Sequence, residues 1–275
     1  MAISGSAIYL STILLEKNRF NGKGPSLLVS DWMEETGEAG FAGLEIWINH
    51  LLFASRSEWE LIREHSAELD LPIASISATL PADGSEKSQR FRDSVIEACD
   101  YFRPDGLKFN LPDSKAAGLD SLDFIKDWSK DIPREITLYY DGGEGLTAEE
   151  LEAARAALVG SGRFKAVLHP FLFAPKELEK ALDASGDFIA NLGVQAKKGG
   201  AFILLEESAV EHQEIVAMTR IKGFKGTWSL EFTKGAGLAG ESIDRMFDNA
   251  EKDLNFLIEA QARAGRVKKR SSPGT

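Results

Sequence analysis

Short apolar runs alternate with longer stretches whose apolar positions recur at helical spacing. The first run, Ala7 to Leu15, carries Ile8, Leu10, Ile13 and Leu14 and reads as a strand. Ser26 to Glu35 reads as a helix. The turn Gly40-Phe41-Ala42-Gly43 then leads into a second strand, Leu44 to Ile48. Glu58 to Leu69 places Trp59, Ile62, His65 and Leu69 on one helical face. Ile73 to Leu80 is the third strand, and Gln89 to Phe102 is a helix presenting Phe91, Val95, Ile96 and Cys99. Leu107 to Leu111 is the fourth strand, with a helix over Leu122 to Trp128. Ile136 to Tyr140 is the fifth. Thr147 with Glu150 three residues on has the spacing of a capping box, for a helix running to about Val159. Phe164 to Leu168 is the sixth strand, followed by a helix over Lys176 to Leu182. Phe188 to Leu192 is the seventh strand, followed by a helix near Ser208 to Lys222. The eighth strand, Gly226 to Phe232, precedes a long final helix, Glu241 to Ala264.

Strict strand-then-helix alternation implies parallel strands joined by crossover helices. Eight such units in 275 residues match the size of a closed (β/α)8 barrel, or TIM barrel, of the α/β class. An open doubly wound sheet is the alternative. The chain leaves its first strand through Leu14-Leu15-Glu16-Lys17-Asn18, not through a glycine-rich dinucleotide loop, and no phosphate-binding loop of the G-x-x-x-x-G-K type occurs. The expected organisation is one barrel domain over residues 1–265 and a basic, disordered tail over 266–275.

The eighth strand differs from an ordinary buried parallel strand. Side chains alternate between faces, so Thr227, Ser229 and Glu231 share one side, and Trp228, Leu230 and Phe232 the other. A strand buried on both faces reads apolar throughout. This one reads as apolar toward covering helices and polar toward a barrel interior that opens at its C-terminal end.

Composition narrows the function. The net charge of -11 argues against broad nucleic-acid binding, which needs a basic face. The one dense basic run is Arg266-Val267-Lys268-Lys269-Arg270. No signal peptide or membrane span is evident. The single cysteine, Cys99, permits no intramolecular disulfide and suits a cytoplasmic protein.

In a barrel of this kind the chemistry lies at the C-terminal strand ends. Strand two brings Glu45, then Asn49 and His50. Strand four brings Lys108 and Asn110, two apart and on one face. Strand five ends at Asp141, with Glu144 beyond. Strand six ends at His169, strand seven offers Asn191 with Gln195 and Lys197 following, and strand eight ends at Glu231. Singly, Asp141 before Gly142-Gly143 is a turn former and His169 before Pro170 a strand cap. Together, Asp141, His169 and Glu231 are a set that can hold a divalent cation. Lys108 is a candidate nucleophile, proton carrier or anion clamp.

Gly40-Phe41-Ala42-Gly43-Leu44-Glu45-Ile46 and Gly223-Phe224-Lys225-Gly226-Thr227-Trp228-Ser229-Leu230-Glu231-Phe232 resemble the glycine-aromatic-x-glycine turns and acid-bearing strands of the xylose isomerase-like barrel superfamily. The order of elements agrees over nearly the whole chain. The resemblance implies an isomerase or epimerase acting on a small sugar, hydroxy-ketone or polyol, with proton transfer between carboxylates beside one divalent metal. The family's ligands are a Glu on strand five, an Asp on strand six, a His on strand seven and a Glu on strand eight. Glu231 matches the last. Asp141 and His169 depart from the residue types at strands five and six, and strand seven has no histidine. The expected metal set is therefore Asp141, His169, Asn191 and Glu231, with Gln195 an alternative to Asn191. Mg²⁺ or Mn²⁺ bound weakly, or no metal at all, is expected in preference to tight zinc. Asp141, Glu231 and Lys108 are expected to be catalytic, and Glu45, Asn110, Glu144 and Lys197 to bind a sugar-like substrate. A barrel that binds a small ligand without metal or turnover is the second reading. Oligomeric state and the particular substrate are not legible in these motifs.

Overall fold

In the computed structural model, residues 5–19, 23–81, 83–110, 125–143, 146–158, 160, 162–238 and 240–270 are described, with side chains as far as 265. Eight parallel strands close into a barrel. They are β1 (Ile8–Ser11), β2 (Leu44–Trp47), β3 (Ile73–Thr79), β4 (Gly106–Asn110), β5 (Thr137–Asp141), β6 (Phe164–Leu168), β7 (Ile189–Val194) and β10 (Thr227–Leu230). β10 pairs with both β1 and β7, which closes the ring. A two-residue hairpin, β8 (Lys197–Lys198) and β9 (Ala201–Phe202), projects between β7 and β10. It turns on Gly199 and Gly200, both at positive φ.

The helices are α1 (Met33–Ala39), α2 (Ile48–Leu52), α3 (Arg56–Glu68), α4 (Glu86–Phe102), α5 (Ala148–Leu158), α6 (Pro175–Ser185), α7 (Ala209–Ile221) and α8 (Ile243–Arg270). Residues 125–128 form a further helical turn. Ser55 and Ser85 cap α3 and α4, each accepting a bond from a backbone N–H three residues on. The expected capping box is present: Thr147 N–H donates to Glu150, and Glu150 N–H donates to the Thr147 hydroxyl.

Period-two alternation places the core. Leu10, Ile46, Ile76, Leu107, Phe109, Leu138, Leu192, Trp228 and Leu230 lie outside the barrel wall, buried beneath the helices. Each such side chain contributes about 1.5–3 kcal/mol relative to exposure. Lys108, Asp141, Asn191 and Ser229, at alternate positions, belong to the inner face. Gly106 is required there, because a Cβ at that position would meet the Tyr139 ring at 2.0 Å.

Several boundaries differ from the sequence reading. β1 ends at Ser11 and gives way to a 3-10 turn, Thr12–Leu14. The first helix lies later than expected, at Met33–Ala39, and ends on Gly40 in the left-handed region. β2 ends at Trp47, so Ile48, expected to close the second strand, begins α2 together with Asn49 and His50. β7 runs to Val194, two residues past the expected end. α8 continues through Arg270, into the segment assigned to the tail. The expected start of the helix at 122–124 and residues 271–275 lie outside the described residues.

Candidate functional site

Carboxylates, a lysine and a histidine converge at the C-terminal mouth. Glu45 projects from β2. Its Oε1 accepts from the Ser11 hydroxyl at 2.8 Å, and its Oε2 from the Ser75 hydroxyl at 3.2 Å. Lys108 crosses from β4, with Nζ 3.3 Å from each Glu45 oxygen. The same ammonium donates to Glu231 Oε1, one residue beyond β10. Asp141 ends β5, and its Oδ1 lies 3.0 Å from His169 Nε2 and accepts from Gly143 N–H at 2.8 Å. His169 Nδ1 lies 3.5 Å from Glu231 Oε2 and 2.9 Å from Gln195 Nε2. The result is one connected polar chain from Glu45 through Lys108, Glu231 and His169 to Asp141.

The electrostatics follow from burial and pairing. Lys108 and Glu231 side chains are each 6% exposed. Burial works against the Lys108 ammonium, but Glu231, Glu45 and Asp141 around it hold its pKa above the ordinary lysine value. Burial likewise disfavours a charged His169, yet Asp141 and Glu231 raise its pKa to about 9. Burial would raise Asp141, but His169 and Lys108 hold it well below the usual carboxylate range. Burial outweighs Lys108 and His169 at Glu231, whose pKa lies above the ordinary value.

A cavity of about 460 Å³ opens above these groups. Lys108, Asp141, His169, Gln195 and Glu231 form its polar part. Trp47, Phe202 and Phe232 line it as well, and Phe202 and Phe232 stack at 4.9 Å with 19° between planes. Asn110 and Lys197 also line the cavity, and the Lys197 ammonium sits 4.6 Å from the Phe202 ring centroid.

The structure thus brings Glu45, Lys108, Asn110, Asp141, His169, Lys197 and Glu231 to one mouth. Glu144 lies outside the described residues. Asn191 lies lower in the barrel: its Nδ2 donates to Thr227 and Ser229 at 3.0 Å, and its Oδ1 is buried without a partner. Gln195, on the same strand face four residues on, reaches His169 instead. Phe232 departs from the face that strand alternation assigns it. β10 ends at Leu230, so the regular alternation stops and Phe232 turns into the mouth.

Sequence reasoning missed Trp47, the Phe202–Phe232 pair and Arg19. The Lys197-Lys198-Gly199-Gly200 turn was the available signal for the hairpin that carries Phe202. Arg19, lining the cavity, donates to Glu241 at 2.6 Å and to the Ile13 and Leu14 carbonyls. His50, grouped with the mouth residues from sequence, is instead tied at 2.8 Å to Thr12 Oγ1 and 3.1 Å to Glu16. It fixes the loop after β1 to α2.

The candidate ligand atoms of Asp141, His169 and Glu231 lie within 4.8 Å of one another. One of them, Glu231, is already engaged by the Lys108 ammonium. Strand seven and the residue after it offer only the neutral carbonyl oxygens of Asn191 and Gln195, both buried without a partner. A Cβ on Gly193 would lie 2.5 Å from both Glu231 Oε1 and the His169 ring. The residues therefore fit a resident divalent cation poorly while Lys108 holds its place.

No protein-family model matches the chain, and no curated protein sequence matches it. Solved structures do. The probable 3-DHS dehydratase AsbF from Bacillus anthracis is 15% identical, with a TM-score of 0.67 over 90% of this chain and 98% of its own. A xylose isomerase domain protein from Alicyclobacillus acidocaldarius is 12% identical, with a TM-score of 0.66 over 93% and 99%. D-psicose 3-epimerase, determined in the presence of D-fructose, is 14% identical, with a TM-score of 0.65 over 94% and 99%. Closed topology, strand order and these likenesses agree that the chain has the fold of the xylose isomerase-like TIM barrels.

Proposed function

We propose that this barrel is an isomerase or epimerase acting on a small polyhydroxylated carbonyl compound: a sugar, a hydroxy-ketone or a related polyol. The observation that carries this reading is the polar chain Glu45–Lys108–Glu231–His169–Asp141 at the floor of the cavity. Isomerisation beside a carbonyl needs a base for a carbon-bound proton and a cation for the oxygen that becomes negative. Glu231, with its pKa raised by burial, is suited to be the base. Lys108 is the cation beside it. The stacked Phe202 and Phe232 offer an apolar wall for the C–H face of a sugar.

In this reading Glu231 takes the proton from the carbon next to the carbonyl. The C–H electron pair forms the new C=C bond, and the carbonyl oxygen becomes an enediolate oxygen facing the Lys108 ammonium. Return of the proton to the former carbonyl carbon, with the proton of the adjacent hydroxyl passing to the former carbonyl oxygen, gives an isomer. Delivery to the same carbon from the opposite side gives an epimer and needs a second donor across the substrate from Glu231. Substrate and product have the same formula, so no co-reactant is needed. Asn110 and Lys197 are placed to bind hydroxyl groups.

Chain-wide acidity supports a small-molecule partner over a nucleic acid. Among the described residues no helix is long and apolar enough to cross a membrane. A cytoplasmic location belongs to the same proposal, from the lone buried thiol of Cys99.

The second reading, ligand binding without turnover, is favoured by the internal pairing of the charged groups at the mouth. Incubation with a panel of ketoses and aldoses in D₂O separates the two. Proton NMR should show deuterium entering the carbon next to the carbonyl of one sugar, and Glu231→Gln should abolish it. A sugar that binds with no exchange would favour the second reading.

A further inference from the structure

The candidate metal ligands at the mouth already contain a cation of their own. Lys108 Nζ lies 3.3 Å from both oxygens of Glu45 and donates directly to Glu231. The other Glu231 oxygen faces His169 Nδ1, and His169 Nε2 faces Asp141. Two positive groups thus stand among three carboxylates. A divalent ion held by Asp141, His169 and Glu231 would have to compete with the ammonium for Glu231 and lie close to it, with strong repulsion in a buried site. The neighbouring strand supplies no charged donor to displace the ammonium. Gly193 has no side chain, and Gln195 and Asn191, whose amide nitrogens donate to His169 and to Thr227 and Ser229, offer only neutral carbonyl oxygens, both buried without a partner.

We infer that Lys108 is the resident cation of this site, bridging Glu45 and Glu231 and holding the Glu231 carboxylate that a divalent metal at Asp141, His169 and Glu231 would need. It is the group that takes the substrate's developing negative oxygen. The two serines on Glu45 and the contact with Glu231 fix the ammonium from opposite sides, so it is oriented before substrate arrives. An ammonium differs from a metal in carrying transferable protons, so it can neutralise the enediolate oxygen by hydrogen bonding or by proton donation. This deepens the isomerase reading by naming its electrophile, but the geometry on which it rests needs no substrate.

The inference predicts a metal site hidden by the lysine. Full-length protein is stripped with chelator, desalted and titrated with Mn²⁺. Free Mn²⁺ is followed by electron paramagnetic resonance and heat by calorimetry. Wild type should bind no tighter than about 1 mM, the range of weak oxygen sites. Lys108→Ala should bind at least tenfold more tightly, and Lys108→Ala/Glu231→Gln should lose the gain. Micromolar binding by wild type that disappears in Glu231→Gln would overturn the assignment. So would a folded Lys108→Ala protein with no gain, or a gain that survives the Glu231 substitution. Circular dichroism checks that each variant folds. If Lys108→Ala does not fold, wild type and Glu231→Gln still decide: Glu231-dependent micromolar binding refutes the inference, and its absence supports it. No sugar enters the experiment, so its failure is separate from failure of the isomerase reading.

Discussion

Lys108 of β4 and Glu231 after β10 share a direct hydrogen-bonded ion pair across the barrel mouth, although 123 residues separate them. Removing one member of a buried pair leaves the other uncompensated, at a typical cost of about 3–5 kcal/mol. Lys108→Ala should therefore lower unfolding stability by about that amount at neutral pH. Glu231→Gln in the same background should cost less than in wild type, because the charge it removes no longer has its partner. A double-mutant cycle by urea denaturation should give a coupling of about 1–3 kcal/mol. Strict additivity of the two substitutions would show that the pair is not formed.

Stability should fall on the alkaline side because of His169. Its folded pKa is raised from 6.5 to about 9 by Asp141 and Glu231, against the effect of burial. The contribution is fully present below pH 6.5 and is lost as pH rises through about 9. Its size is on the order of 3 kcal/mol. Asp141 acts with the opposite sign: its folded pKa is depressed, so its contribution is present above the unfolded carboxylate value and lost in acid. Denaturation at pH 6.5, 8 and 9.5 should show wild type weakening, and His169→Asn should flatten that slope. An unchanged slope in the variant would assign the alkaline loss to another group.

Gly193→Ala should damage the site without touching a charged residue. The added methyl would sit 2.5 Å from Glu231 Oε1 and from the His169 ring. Overpacking of this kind costs about 1–3 kcal/mol. Thermal melting should show the loss, and any sugar-exchange activity should fall with it. Gly84→Ala is a control, because a Cβ there meets nothing within 4 Å. Equal melting temperatures for the two variants would remove the packing argument.

Asp253 gives a pH effect away from the mouth. Buried on α8, it accepts from Leu205 N–H at 2.7 Å and from the Thr233 hydroxyl at 2.5 Å. Burial raises its pKa to about 7 despite those bonds. Its folded form therefore favours the proton, and stability is lost as pH rises from the unfolded value of 3.8 through about 7. Asp253→Asn carries no charge and keeps one of the two acceptor oxygens, so it should be more stable than wild type at pH 8 by on the order of 4 kcal/mol less the cost of the lost second acceptor. A less stable variant at pH 8 would show that the ionised carboxylate is needed.

The barrel was determined locally. Period-two apolar runs, each followed by a helical pattern, leave a parallel sheet with crossovers, and eight of them close a ring. Asp141, His169 and Glu231 were readable as mouth residues for the same reason, because strand ends share one rim. Tertiary structure alone decided what those residues do to one another. Whether Gln195 or Asn191 meets His169 depends on how far β7 rises before its pairing with β10 ends, and both lie on the same face. Phe232 faces the cavity because β10 stops at Leu230, a boundary that side-chain alternation does not mark. The Lys108 ammonium lies between Glu45 and Glu231 because ring closure carries β4, β2 and β10 around a common axis. That distance is a property of the closed ring, and no local pattern in the chain encodes it.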